Sequence, residues 1–195
     1  MARVTQVQHA RKENRCGKCG TPILVGDPYR HASPRAHLAT AGIKMVRCIK
    51  ATCAFKTSDL TTSKMSGVYA TQEDLQLAID GDFTPADVLN SLQEAAEAVR
   101  AVGKEYREGA TNIEDGFGHE TMQSQEMTEK ADALDEYADA LENVSLDDAD
   151  EFDELESETQ GLEDEDRLGE IEDRQQEIRE NVASTVEDAI NELSI

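Results

Sequence analysis

Two pairs of cysteines constrain this chain more than any other feature. Cys16-Gly17-Lys18-Cys19-Gly20 is followed, after 28 residues, by Cys48-Ile49-Lys50-Ala51-Thr52-Cys53, and no other cysteine occurs in the 195 residues. Two thiolates three positions apart grip one tetrahedral ion from a tight turn, and glycines at positions 17 and 20 let backbone amides approach the sulfurs. The second pair is one residue looser, within the usual range of ligand spacings. The pattern predicts one structural Zn2+ held by Cys16, Cys19, Cys48 and Cys53, with no coordination position left for water or substrate. Three other readings compete. His31 or His37, between the pairs, replaces one cysteine; the first pair is a redox motif, which lacks the βαβ context it needs; or the thiols carry no ligand.

A head built around such a site needs the ion. Its apolar residues are few, chiefly Ile23, Leu24, Val25, Tyr29, Leu38, Ile43, Met45, Val46, Ile49 and Phe55, and a domain this small rarely holds together by burial alone. Ile23-Leu24-Val25 reads as a short strand ending at the Gly26-Asp27-Pro28 turn, and Ile43 to Arg47 as a second strand carrying Cys48 inward. Two short strands presenting two cysteine pairs predict a zinc ribbon or a treble-clef-like finger, and the spacing does not choose between them.

The charge divides the chain. Residues 1–66 hold 12 Lys/Arg and 3 Asp/Glu, a balance of +9; residues 67–195 hold 7 and 39, a balance of −32; together these make the net −23. Opposite signs in the two parts point to two different electrostatic roles. The division predicts a basic four-cysteine domain over 1–66, a connector over 67–83 and an acidic helical region over 84–195. The basic head reads as a phosphate-contacting surface through Arg15, Lys18, Arg30, Arg35, Lys44, Arg47, Lys50 and Lys56, with Tyr29 stacking on a base and Phe55 a second aromatic for the same purpose. The plainer reading is that these cations offset a four-thiolate zinc of formal charge about −2, or attract the acidic region. The first 15 residues contain no apolar run, and nowhere does the chain reach the roughly 18–20 apolar residues that span a bilayer, so a cytoplasmic protein without membrane contact is expected.

In the connector Thr71 caps a short helix to Ile79, ended by Gly81-Asp82, and the acidic region follows. Thr84 and Pro85 open a longer helix. Val88, Leu92, Ala95, Val99, Val102 and Tyr106 step by four and three, a heptad seam. Gly109 and the stretch 112–119 read as a break. A second helix is expected over about 120–144 on Met127, Ala131, Leu134, Ala138 and Leu141. A third is expected over about 166–194 on Leu168, Ile171, Ile178, Val182, Ala189 and Leu193, with Val186 and Ile190 flanking. The connection 147–166 has 12 acidic residues in 20 and no Lys or Arg, which reads as a solvated, mobile linker. It lacks the register of a calcium loop. The fold class expected is therefore mixed: a small zinc-ribbon or treble-clef-like domain, then an all-α antiparallel coiled coil or three-helix region. Such helices self-associate, or present carboxylates to a basic host protein as a nucleic-acid mimic does.

Several short motifs carry a resemblance. Cys16-Gly-Lys-Cys-Gly20, Gly26-Asp-Pro-Tyr29, Arg47-Cys48, Ser58-Asp-Leu-Thr61 and Glu114-Asp-Gly-Phe-Gly-His119 ahead of a Glu-rich helix look like small zinc-finger proteins of tailed bacteriophages of actinobacteria. The resemblance runs over roughly residues 10–145. It implies a zinc site and a place in the bacterial host cell or the virion, and brings no catalytic residues. Nor do the residues supply any. His119 beside Glu120 has no nucleophile or metal partner near it in sequence, and no phosphate-cradling or dinucleotide loop occurs. The chain reads as a non-enzymatic binding protein.

Overall fold

The computed structural model describes residues 4–32, 45–61, 63–160, 162 and 164–193. The chain divides between Ala70 and Thr71 into two compact units. Among the described residues there are five α-helices and five short strands.

In the first unit β1 (Val4–Val7), β4 (Tyr29–Ala32) and β5 (Met45–Cys48) form an antiparallel sheet in the order β1-β4-β5. Tyr29 stands opposite Cys48 and Val7, and Arg30 opposite Arg47 and Gln6. β2 (Asn14–Arg15) and β3 (Pro22–Ile23) form a second, two-stranded ladder that closes around the first cysteine pair. The expected strand over residues 23–25 is thus only Pro22–Ile23. Leu24 is instead held in a turn, its amide donating to Asp27 Oδ2 at 2.8 Å, and Gly26 takes the left-handed φ of 96° that the turn requires. Of the second expected strand, Met45–Arg47 is present; Leu38 and Ile43 lie outside the described residues. The buried cluster of this unit is Ala10, Cys16, Ile23, Cys48 and Cys53, with Tyr29 and Val46 packed against it. Three of its five members are the cysteines, so the core and the candidate site are one object.

α1 (Ser66–Ala78) straddles the division and begins five residues before the expected cap at Thr71. α2 (Pro85–Phe117) opens as expected, with Thr84 Oγ1 accepting from the Asp87 amide and Pro85 in the first turn. It does not break at Gly109. A single glycine inside a helix costs only about 1 kcal/mol, and the buried Ala110 next to it continues the seam. The helix ends at Gly118, whose φ of 72° is a left-handed cap.

α3 (Met122–Glu142) starts with a reciprocal Thr121/Ser124 capping box and runs back along α2. Arg100 pairs with Asp139 and Glu142, and Arg107 with Asp132 and Asp135, a register only an antiparallel pair produces. Every seam residue expected from Val88 to Tyr106 is buried, as are Ala131, Leu134, Ala138 and Leu141 opposite them.

The acidic connection is helical over Ala149–Thr159, where a solvated linker was expected. It contains a fourth helix in this region, α4 (Ala149–Thr159), which lies antiparallel to α5 (Glu165–Asn191). Arg174 grips Glu151 through two bonds, at 2.8 and 2.7 Å, and Arg167 grips Glu158 at 2.8 and 3.0 Å. The reason is Phe152, 2% exposed in a segment otherwise almost wholly polar. One buried aromatic contributes enough apolar area to dock a short helix. Arg179 completes the anchor. Its guanidinium lies 5.1 Å from the Phe152 ring centre and donates to Phe83 O at 3.0 Å. On α5, Val186 proves to be core rather than flank and Leu168 is only partly covered, while Leu193 lies beyond the end of the helix and is also partly covered.

Candidate metal centre

β2 delivers Cys16, and the turn that follows delivers Cys19. That turn closes when the Gly20 amide donates to Cys16 O at 2.9 Å, with Gly20 at a φ of 71°. The Gly17 amide donates to Val46 O at 2.8 Å, tying this turn to β5, whose last residue is Cys48. A single 3-10 turn over Ala51–Cys53 then brings Cys53 back beside it. The Sγ atoms of Cys16, Cys19, Cys48 and Cys53 all lie within 4.8 Å of one another, and none is in a disulfide.

The geometry fits an ion. Metal–sulfur bonds of about 2.3 Å in a tetrahedron place the sulfurs about 3.8 Å apart, and Cys19 Sγ and Cys48 Sγ are separated by 3.7 Å. A disulfide needs about 2.05 Å. The electrostatics fit as well. Burial works to raise the Cys16 thiol, but the amides of Cys19, Cys48 and Lys18 outweigh it and bring it down to about 6. Thr21, its Oγ1 3.1 Å from the sulfur, lowers the Cys19 thiol. Burial and the neighbouring sulfurs push Cys53 up to about 12. Sulfurs this close cannot all carry charge unaided, and a divalent cation among them removes the penalty. Three ligands are buried and Cys19 is exposed. His31 is not part of the cluster, and His37 lies outside the described residues.

No family model, curated protein or solved structure matches this chain.

The basic residues expected at a phosphate surface fall into different places. Arg47 is committed to the head's own structure. Its Nη1 donates to Ala54 O and Asp59 Oδ2, both at 2.8 Å, its Nη2 to Asp59 Oδ1 at 2.6 Å, and its guanidinium sits 4.6 Å above the Phe55 ring. This clasp fastens the segment after Cys53 to the strand before Cys48. Phe55 is thereby engaged, and Tyr29 packs against the sulfur cluster. Arg15, Lys18, Arg30 and Lys50 form no ion pair among the described residues. Lys56 has a partner, and its amide donates to Asp59 Oδ2 at 2.9 Å. Arg35 and Lys44 lie outside the described residues.

Asp59 is the residue that motif reading missed. Burial works to raise its carboxyl, but the Arg47 guanidinium and the Lys56 amide more than offset this and hold it below the usual carboxylate range. Two signals were available: Asp59 falls in the Ser58-Asp-Leu-Thr61 motif, and it is the sole acidic residue between Asp27 and Glu73 in a strongly basic stretch.

Proposed function

We propose that the first unit is a zinc-stabilised, non-enzymatic nucleic-acid-binding head of the ribbon or treble-clef kind, with the acidic helices serving protein interaction. The observation that carries this is the fate of the head's carboxylates. Residues 1–66 contain only Glu13, Asp27 and Asp59. Asp59 is used by Arg47 and Asp27 by the Leu24 turn, so among the described residues Arg15, Arg30 and Lys50 make no ion pair and Lys18 is acted on by Asp59 only at a distance. Cations held on a rigid scaffold without counter-charge attract phosphates and release their counterions. Zinc is favoured as the ion because an all-sulfur tetrahedral shell is its commonest structural site.

The full-length metal-loaded protein is expected to be retained on single- or double-stranded DNA or on RNA at low salt, and to release steeply as salt rises. No retention at the lowest salt sinks the reading. Elemental analysis giving one zinc per chain, and the intense thiolate-to-metal absorption of a cobalt-substituted sample, test the centre independently.

A second reading is favoured by a separate observation. The five arginines of the helical unit, Arg100, Arg107, Arg167, Arg174 and Arg179, are all engaged by carboxylates of that unit, yet 39 acidic residues face only 7 basic ones there. The excess carboxylates on rigid helices suit a basic host protein as partner, in the manner of a nucleic-acid mimic. In that case the full-length protein displaces DNA from a basic protein instead of binding DNA itself. The phage resemblance adds a third proposal: a component of a particle or its assembly in the bacterial cytoplasm, its helices self-associating. A monomer in sedimentation at high concentration argues against that. None of the described helices is long and apolar enough to cross a membrane.

A further inference from the structure

Between β2 and β5 an open cavity of about 300 Å3 is lined by Asn14, Arg15, Gly17, Met45, Val46 and Arg47. Two of its walls are arginines and none is a carboxylate. A third arginine, Arg30, lies one strand away on β4, outside that lining. Arg30 is the direct cross-strand partner of Arg47, so both side chains leave the same face of the sheet, and like charges directly opposite one another are destabilising. The protein answers only one of them. Asp59 takes Arg47, whereas among the described residues Arg30 makes no ion pair and its buried Nη1 has no acceptor. On its other side Arg30 faces Gln6, which is neutral. Arg47 uses three of its five N–H donors on Ala54 and Asp59 and is immobilised with two to spare.

A head that stabilises one arginine so firmly and leaves its neighbour unanswered is incomplete without an anion. We propose that Arg15, Arg30 and Arg47 form a seat for a phosphate group, with Arg47 pre-positioned by Asp59 and Arg30 supplying the unneutralised charge. Resting on the nucleic-acid reading of the head, the phosphate belongs to a strand's backbone. Free inorganic phosphate has the same chemistry, and the two sources are separable.

The test uses full-length, cobalt-substituted protein, because the cobalt–thiolate absorption reports unfolding of the head alone. In phosphate-free buffer Arg30→Gln is expected to melt above the wild type, since an uncompensated guanidinium has been removed. Inorganic phosphate at matched ionic strength should raise the wild-type melting temperature and leave Arg30→Gln and Arg15→Gln unmoved. Binding to a single-stranded deoxyoligonucleotide should weaken in Arg30→Gln, with the slope of log affinity against log salt shallower by about 0.7 for one lost phosphate contact.

If Arg30→Gln melts below the wild type in phosphate-free buffer, or if phosphate stabilises variant and wild type alike, the seat is overturned. If the wild type binds the oligonucleotide and Arg30→Gln binds it identically, the seat fails while the nucleic-acid reading stands. Stabilisation by phosphate that needs Arg30, without oligonucleotide binding, keeps the seat and removes the nucleic-acid reading.

Discussion

Cys53 shows what a single side chain does in this head. It is 1% exposed and its thiol is pushed up to about 12 by burial and its sulfur neighbours. Without an ion it is a protonated core residue; with one it is a ligand. Cys53→Ala is expected to abolish the cobalt–thiolate absorption, because structural sites of this kind contribute on the order of 10 kcal/mol to folding. Asp59→Asn tests the clasp beside it. Losing the charge-assisted bonds to Arg47 should destabilise the head by about 2 kcal/mol, read as a lower melting temperature of the same absorption band. The cysteines were legible in the sequence because a metal shell depends on local spacing. Asp59 was not, because its partner lies twelve residues away and no spacing rule ties a carboxylate to an arginine across a loop.

At the scale of elements, periodicity found the α2 and α3 seams and the Thr84 cap, since both follow from helix geometry alone. It failed at α4, where one aromatic in an acidic run leaves no period to detect. Phe152→Ala is therefore expected to cost about 3–5 kcal/mol and to release α4, measured as loss of amide protection over Ala149–Thr159. The pairs that hold α4 also respond to acid. Arg174 holds the Glu151 carboxyl, and Arg167 that of Glu158, below the ordinary 4.5. Groups with a depressed folded value contribute stability above their unfolded value and lose it as pH falls through the folded one. The two pairs' share in holding α4 is therefore present at pH 6 and fades as pH drops below 4.5, so Arg174→Gln should lower amide protection over Ala149–Thr159 at pH 6 and make no difference in acid. Gly103 is the close-approach point of α2 and α3. A Cβ there meets Asp135 Oδ1 at 3.2 Å and Ala131 O at 3.4 Å, and Asp135 is pinned by Arg107. Gly103→Val should cost about 1–3 kcal/mol by overpacking, visible in a circular-dichroism melt.

At the scale of the molecule, salt is expected to act in opposite directions on the stability of the helical unit and on any nucleic acid bound by the head. The helical unit carries a balance of −32, and its exposed ion pairs contribute no more than about 1 kcal/mol each. Self-repulsion therefore outweighs them. Raising sodium chloride from roughly 20 to 200 mM, which shortens the screening length through about 10 Å, should raise the helical melting temperature while loosening any nucleic acid on the head. The charge division behind this was plain in the sequence; the packing that gives each unit its shape was not, because side-chain complementarity leaves no trace in composition. Three of the four cysteines are buried in the head and Cys19 is exposed, so an ion held among them would meet chelators and competing metals on the Cys19 side. Metal exchange would then quicken in a variant that loosens the Cys19 turn, and because three of the cysteines are also core residues, loss of the ion would loosen the packing of the head as well.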